Sequence, residues 1–111
     1  AGWAKGGVPV GIGRLGEADA GQMRNRWDVR RARMSAPGAV VLAGEKDGSP
    51  ILLAAGAPEA VEAGFDAGAV IKAISSNIKG GGGGKAAMAQ AGGKDASGID
   101  AALDAAREML L

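Results

Sequence analysis

The sequence contains no cysteine and no histidine. Without cysteine there is no disulfide, no thiolate metal site and no thiol nucleophile. Without histidine the chain lacks the commonest general base and the commonest zinc ligand. These absences exclude most hydrolase triads and most zinc enzymes. We therefore expect this chain to be non-catalytic, with no metal site and no bound cofactor.

Aromatic residues are also scarce, at 3% of 111 residues, although apolar residues make up 47%. This length and composition predict one domain with a small core of Val, Ile, Leu and Met. No apolar run approaches the roughly 18 residues of a transmembrane helix. The chain does not start with a charged and then apolar signal segment. We expect a cytoplasmic protein with no membrane partner.

Glycine is abundant instead, with 21 residues, and it is clustered, which excludes a collagen-like repeat. Five glycines are consecutive at Gly80–Gly84, and Lys85 follows them. Residues without Cβ allow left-handed conformations and close backbone approach. Consecutive N–H groups of this kind can form an anion-binding nest, beside which a lysine adds charge. The run therefore predicts a site for phosphate groups, whereas the alternative is a flexible linker.

Two nucleotide-binding motifs fail on their residues. A P-loop needs glycine where Lys79 stands and Ser or Thr where Ala86 stands. Gly11, Gly13 and Gly16 have the spacing of a dinucleotide fingerprint, but no strong strand precedes them. The sequence therefore favours binding over catalysis.

The net charge of +1 is distributed unevenly. Residues 1–34 contain seven basic and three acidic side chains, and the remainder contains six basic and nine acidic ones. A basic segment of this kind favours an acidic partner such as a nucleic acid. The alternative is a solvated basic helix.

Hydrophobic patterning in the first third predicts a strand and then a helix. Apolar residues alternate over Val8–Leu15, which predicts the strand. Asp19 can cap a helix that runs to about Met34. Met23 and Trp27 lie on one stripe of that helix, so we expect them in the core rather than stacked on an RNA base.

The middle of the chain predicts a hairpin. Ala39–Ala43 and Ile51–Ala55 are apolar on both faces, and Asp47-Gly48 between them favours a tight turn. Strands that are apolar on both faces predict a hairpin that is largely covered by helices. Ala57–Phe65 is expected to be a connector with one short helical turn.

The last third predicts a helix, a short strand and a second helix. The first helix begins at Asp66 and runs to about Ile78, and Gly80 after it is a natural helix stop. The strand covers Ala86–Ala91. The last helix covers Ile99–Leu110, preceded by Ser97 with capping-box spacing to an acidic residue. The fold class is therefore α/β, a single compact domain with a small, mostly antiparallel or mixed sheet flanked by about three helices.

Residues 79–95, KGGGGGKAAMAQAGGKD, resemble the glycine-rich signature of the C-terminal, DHHA1-type domain of alanyl-tRNA synthetase. Met88–Gly93 is the most specific part, and the resemblance extends from about Val8 to Leu111. It implies a DHHA1-like domain at residues 8–111 after a flexible lead-in at residues 1–7. It also implies a domain that binds the outer corner of tRNA and helps aminoacylation and editing domains to act on it.

The resemblance implies tRNA-Ala and the other domains of a synthetase as partners, an alanine–tRNA ligase as the parent protein, and a possible homodimer. The glycine loop and its tail match the family, but Lys85 replaces a common Arg and Ala86-Ala87 replace a common Pro-Asp. Nearby and N-terminal cations complete the candidate RNA-binding set: Gly80, Gly81, Gly82, Gly83, Gly84, Lys85, Gln90, Gly92, Gly93, Lys79, Lys94, Arg24, Arg30 and Arg31.

Three alternatives remain open from the sequence. One is the DHHA1 nucleic-acid-binding domain of a DHH phosphoesterase, although those domains typically contain a Gly-Gly-His core and this chain has no histidine. Another is a freestanding alanyl-tRNA editing protein with the same domain. The last is a structural oligomerisation module, in which the glycines allow close packing between subunits.

Overall fold

The structure, a computed structural model, describes residues 2–3, 9–33 and 38–110. Within them six strands form one sheet in the order β1-β2-β3-β4-β6-β5. The strands are β1 (Gly2–Trp3), β2 (Pro9–Glu17), β3 (Ala39–Lys46), β4 (Ser49–Gly56), β5 (Gly81–Gly84) and β6 (Met88–Gly92). The α-helices of the same residues are α1 (Ala20–Arg33), α2 (Pro58–Glu62), α3 (Ala67–Ile74) and α4 (Ile99–Leu110).

The sheet is mixed, which confirms the predicted fold class. β2 and β3 are parallel and are connected through α1, while the other neighbouring strands are antiparallel. The predicted lead-in at residues 1–7 lies mostly outside the described residues. Its residues Gly2 and Trp3 form β1, which pairs with Val10 and Pro9 of β2. The predicted helix end at Met34 also lies outside the described residues.

The turn between β3 and β4 forms as its sequence predicts. Lys46 pairs with Ser49, so the loop consists of Asp47 and Gly48 alone. Both have positive φ, 52° for Asp47 and 81° for Gly48. Two-residue loops of this kind have the twist that antiparallel strands require, and Asp-Gly tolerates that backbone conformation.

Helices cover both faces of the hairpin and create two apolar clusters. On one face, Met23 and Trp27 of α1 pack on β3 and β4 and are only 0% and 1% exposed. On the other face, α3 and α4 contribute side chains such as Ile71, Ile74 and Ile99. This two-sided burial explains why β3 and β4 are apolar at successive positions.

Side-chain caps define where two helices start. Asp19 Oδ1 accepts from the Gln22 N–H at 2.8 Å, and Gln22 Oε1 accepts from the Asp19 N–H at 2.9 Å, which is a reciprocal capping box. Asp66 caps α3 by accepting from the Ala69 N–H at 3.2 Å. The connector before α3 contains the expected short helix, α2.

The helical segment ends at Ile78, as predicted, but Lys79 and not the predicted Gly80 takes the left-handed position after it. α3 continues as a 3₁₀ turn over Ser75–Ile78, and Lys79 then adopts the left-handed conformation with φ 51°. Gly80 is needed for a different reason. A methyl group at Gly80 would lie 2.6 Å from the Gly93 Cα, so the backbones approach too closely for any side chain.

The predicted capping box at the start of α4 is also wrong. Asp95 instead caps a 3₁₀ turn at Ala96–Gly98, accepting from the Ser97 N–H at 3.1 Å and from the Ser97 hydroxyl. α4 then begins at Ile99. Hydrogen bonds from Ser97, with a smaller contribution from the Lys79 charge, lower the pKa of the Asp95 carboxyl below its ordinary value.

Candidate nucleic-acid interface

The glycine run forms the edge strand β5 instead of the expected anion-binding nest. It pairs with β6 in antiparallel register, with Gly83 opposite Gln90 and Gly81 opposite Gly92. The strand predicted at Ala86–Ala91 is shifted to Met88–Gly92, because Ala86 and Ala87 form the turn. In an extended strand successive N–H groups point in opposite directions, so they do not converge on one anion.

Alternate glycines of β5 are required for packing, whereas the others are not. A methyl group at Gly82 would lie 2.6 Å from the Ala91 Cα, and one at Gly84 would lie 2.7 Å from the Ala89 Cα. Backbone atoms cannot yield to such contacts. At Gly81 and Gly83 a methyl group would meet no atom within 4 Å. Positions 81 and 83 are therefore open to a ligand.

The basic helix α1 meets this glycine hairpin on one face of the sheet. Arg24 Nη1 donates to Gln90 Oε1 at 2.9 Å across 66 residues of sequence. Gln90 is paired with Leu53, which packs on the α1 side of the sheet. Gly81, Gly83 and Gly92 share that face, and we call these three residues the glycine shelf.

The predicted lysines lie at the two ends of the hairpin. Lys79 precedes β5, and Lys94 follows β6 and donates its N–H to the Ile78 oxygen at 2.9 Å, so both are at the open end. Lys85 begins the turn and donates its N–H to the Met88 oxygen at 2.9 Å. All three are exposed. The six-residue separation of Lys79 and Lys85 corresponds to about 20 Å of extended backbone.

The structure brings Arg24 to the hairpin but not Arg30 or Arg31. Arg30 lies over β2. Its Nη2 is so close to Gly11 that a methyl group added there would be only 2.7 Å away. β2 is three strands from β6, or about 14 Å. Arg31 stacks on the ring of Trp27 with its Cζ 5.7 Å from the ring centroid. Trp27 is 1% exposed and is therefore a core residue, as predicted, with the Arg31 guanidinium over its ring.

Neither a metal-binding cluster nor a membrane-spanning helix occurs in the part of the chain that the structure describes. No three His, Cys, Asp or Glu side chains converge there. None of its helices is both long and apolar enough to cross a bilayer. The arrangement offers cations, amide groups and bare backbone, which suit binding to a polyanion better than bond making or breaking.

Sequence reasoning missed two features of this surface. It did not identify the glycine run as an edge strand, because glycine is depleted from strands and has no side-chain alternation. It also did not pair Arg24 with Gln90, since no local pattern connects a helix to a strand 66 residues away. A clue to the strand was the small residues Ala89 and Ala91 of β6, which allow a glycine strand to approach closely.

The sequence and the fold of this chain are similar to those of known proteins. The model of the DHHA1 domain family matches residues 7–111. The chain is 40% identical over 104 residues to alanine–tRNA ligases from Herpetosiphon aurantiacus and Myxococcus xanthus. Each match covers 94% of this chain but only 12% of the relative. The crystal structure of the C-Ala domain from Aquifex aeolicus alanyl-tRNA synthetase superimposes with a TM-score of 0.82 at 26% identity, covering 99% of this chain and 96% of that one.

Proposed function

The chain belongs to the DHHA1 domain family and has the fold of the C-Ala domain of alanyl-tRNA synthetase, and from that premise we propose that it binds tRNA. In this proposal it is the C-terminal domain of an alanine–tRNA ligase. It docks tRNA-Ala so that the aminoacylation and editing domains of the same protein can act on it. The chain spans about an eighth of the length of the relatives it matches. The proposal includes a cytoplasmic location, which follows from the proposed parent protein.

The contact between α1 and the glycine hairpin carries this proposal. It brings Arg24 to a surface that Lys79, Lys85 and Lys94 flank at both ends. Cations spaced along an edge strand match a chain of phosphates better than they match a compact anion. The shelf between them has no side chains, so a nucleic-acid backbone can approach it closely.

Recognition through cations and exposed glycine backbone depends on the charge and shape of the RNA rather than on base identity. Phosphate contacts position a nucleic acid, whereas sequence is read by groups that reach the base edges. Each phosphate that a lysine or arginine neutralises releases counterions, so the affinity falls as salt rises. The proposal therefore includes a salt-dependent affinity with preference for the folded shape of tRNA.

A binding titration tests this proposal. The 111-residue chain is titrated with tRNA-Ala, an unrelated tRNA and a duplex RNA of similar charge at two salt concentrations. We expect both tRNAs to bind more tightly than the duplex, and the affinity to fall with salt. Absence of RNA binding at low salt contradicts the proposal. Equal affinity for tRNA and duplex contradicts recognition of the tRNA shape.

The position of β5 favours a second candidate, a module for self-association. β5 is an edge of the sheet, and an edge strand can pair with a strand of another copy. Measurement of the solution mass across a range of concentrations, with and without tRNA, tests this function. A dimer without RNA binding favours self-association, and a monomer that binds tRNA favours the first candidate.

A further inference from the structure

The hydrogen bond between Arg24 and Gln90 fixes a guanidinium at the border of the glycine shelf. Arg24 Nη1 donates to Gln90 Oε1 at 2.9 Å, and both side chains are exposed. A guanidinium has five N–H donors in a planar fork, of which this bond uses one. The others remain for an acceptor with two oxygen atoms, and phosphate matches that geometry.

Because the glycine shelf has no side chains, a ligand can approach the Arg24 guanidinium from the edge of the sheet. Gly83 is directly opposite Gln90, and a methyl group at Gly83 would meet nothing within 4 Å. Side chains directly opposite each other on one face lie about 4.5–5.5 Å apart at Cβ. Any larger residue at position 83 would therefore stand beside Gln90, between Arg24 and the open edge. Glycine keeps that approach clear.

Attachment of α1 to the sheet does not explain the contact. Met23 and Trp27 already hold the helix by burying their side chains completely. A single exposed polar contact adds little to that packing. The charge of the surroundings is more informative. Lys79, Lys85 and Lys94 flank the same hairpin, so an anionic partner is complementary to it.

We propose that Gln90 is a positioning residue, which holds the Arg24 guanidinium beside the glycine shelf so that its other N–H groups bind one phosphodiester of the RNA. This inference rests on the proposed tRNA-binding function and adds a division of roles to it. Arg24 contacts the phosphate, and Gln90 acts through Arg24 rather than through a contact of its own.

A double-mutant cycle tests the division of roles. RNA affinity and its salt dependence are measured for the 111-residue chain, Arg24→Ala, Gln90→Met and the double variant. We expect Arg24→Ala to weaken binding about tenfold and to lower the salt slope by about 1. Gln90→Met should weaken binding about threefold, because the guanidinium loses its orientation but not its charge. The double variant should bind no more weakly than Arg24→Ala.

Matched variants separate orientation from charge. Arg26→Ala removes an exposed cation from the same helix. Arg26 lines a cavity with Leu15 and Glu17 of β2, which is three strands from β6 and Gln90. We expect Arg26→Ala to change affinity less than Arg24→Ala. Arg24→Lys keeps the charge without the fork, so Gln90→Met should have no further effect in that background. Thermal unfolding of each variant checks that the fold is retained.

The outcomes distinguish failure of this inference from failure of the proposed function. If the unmodified chain binds no RNA, the proposed function fails and this inference fails with it. If it binds RNA but the losses from Arg24→Ala and Gln90→Met add, Gln90 contacts RNA itself and the positioning role is wrong. If Gln90→Met changes nothing, the role is also wrong. Inorganic phosphate at equal ionic strength is the competitor that separates the two sources of phosphate. Weak displacement of RNA beyond that by chloride, lost in Arg24→Ala, is expected because both ligands present the same oxygens. Binding of phosphate alone as tight as that of RNA would indicate a free-anion site and would overturn the inference.

Discussion

Gly68 of α3 lies against Gly84 of β5, so that a methyl group on Gly68 would be 3.1 Å from the Gly84 carbonyl oxygen. The turn beyond Gly84 is held as well. The Ala67 N–H donates to the Ala86 oxygen at 2.9 Å, and the Gly56 N–H donates to the Ala87 oxygen at 2.9 Å. The glycine hairpin is therefore anchored at its turn, even though its strand is at the edge of the sheet.

Gly82→Ala should destabilise the fold, whereas Gly83→Ala should weaken RNA binding without destabilising the fold. The Gly82 substitution places a methyl group against the backbone of β6, and overpacking of this kind costs about 1–3 kcal/mol. The Gly83 substitution meets no atom, so it should leave the free energy of unfolding within about 0.5 kcal/mol while it weakens RNA binding. Urea denaturation and an RNA titration of both variants measure these effects. Equal stability of the two variants would contradict the close approach of β5 to β6.

Lys85→Ala should weaken RNA binding at every RNA sequence tested. The side chain is exposed at the hairpin turn, and loss of one phosphate contact should lower the salt slope by about 1. Lys46→Ala is the control, because Lys46 is an exposed lysine before the other hairpin turn, between β3 and β4. If both variants change the slope equally, the effect is one of net charge and Lys85 has no particular role.

Trp27→Ala should destabilise the domain by about 3–5 kcal/mol. The side chain is 1% exposed and packs between α1 and the sheet, so its removal leaves a large cavity. Val29→Ala, on the exposed side of the same helix, should change the free energy of unfolding by less than about 0.5 kcal/mol. Urea denaturation monitored by circular dichroism compares the two. A small effect of Trp27→Ala would contradict its place in the core.

Asp95 should contribute to stability above the acid range and lose that contribution as the pH falls. Bonds from Ser97 and the charge of Lys79 hold the pKa of this carboxyl below its unfolded value. The folded state thus favours the charged form, whose benefit disappears as the pH falls through the lowered pKa. Melting temperatures of the chain and of Asp95→Asn, measured between neutral and acid pH, should converge at low pH. A constant difference between them would contradict this origin of the shift.

Local side-chain chemistry predicted much of the fold from the sequence. Asp47 and Gly48 specify their turn because few residues tolerate two successive positive φ angles. Asp66 specifies a helix start through its own side-chain bond. Met23 and Trp27 were identifiable as buried because their spacing matches a helix stripe.

The features that could not be predicted depend on pairing between distant segments. Gly81–Gly84 have no side chains to indicate a strand, and their extended conformation is imposed by the neighbouring β6. The left-handed position that we predicted for Gly80 is taken by Lys79. Gly80 instead lies where its backbone and that of Gly93 approach too closely for a side chain. Arg24 finds Gln90 only once the sheet has assembled. Composition and charge thus indicated a candidate surface for binding RNA, but they did not predict its geometry.

The strand order also determines how the domain assembles. The β3–β4 hairpin closes a loop of two residues, whereas β6 reaches β4 only after residues 57–87 have been arranged. Loop closure over a longer segment costs more entropy and slows the formation of non-local pairs. β5 then depends on β6, since β6 is its sole strand neighbour among the residues that the structure describes. We therefore expect the glycine edge to be completed late in folding, so that a nascent chain acquires the surface proposed to bind RNA only when the rest of the sheet exists.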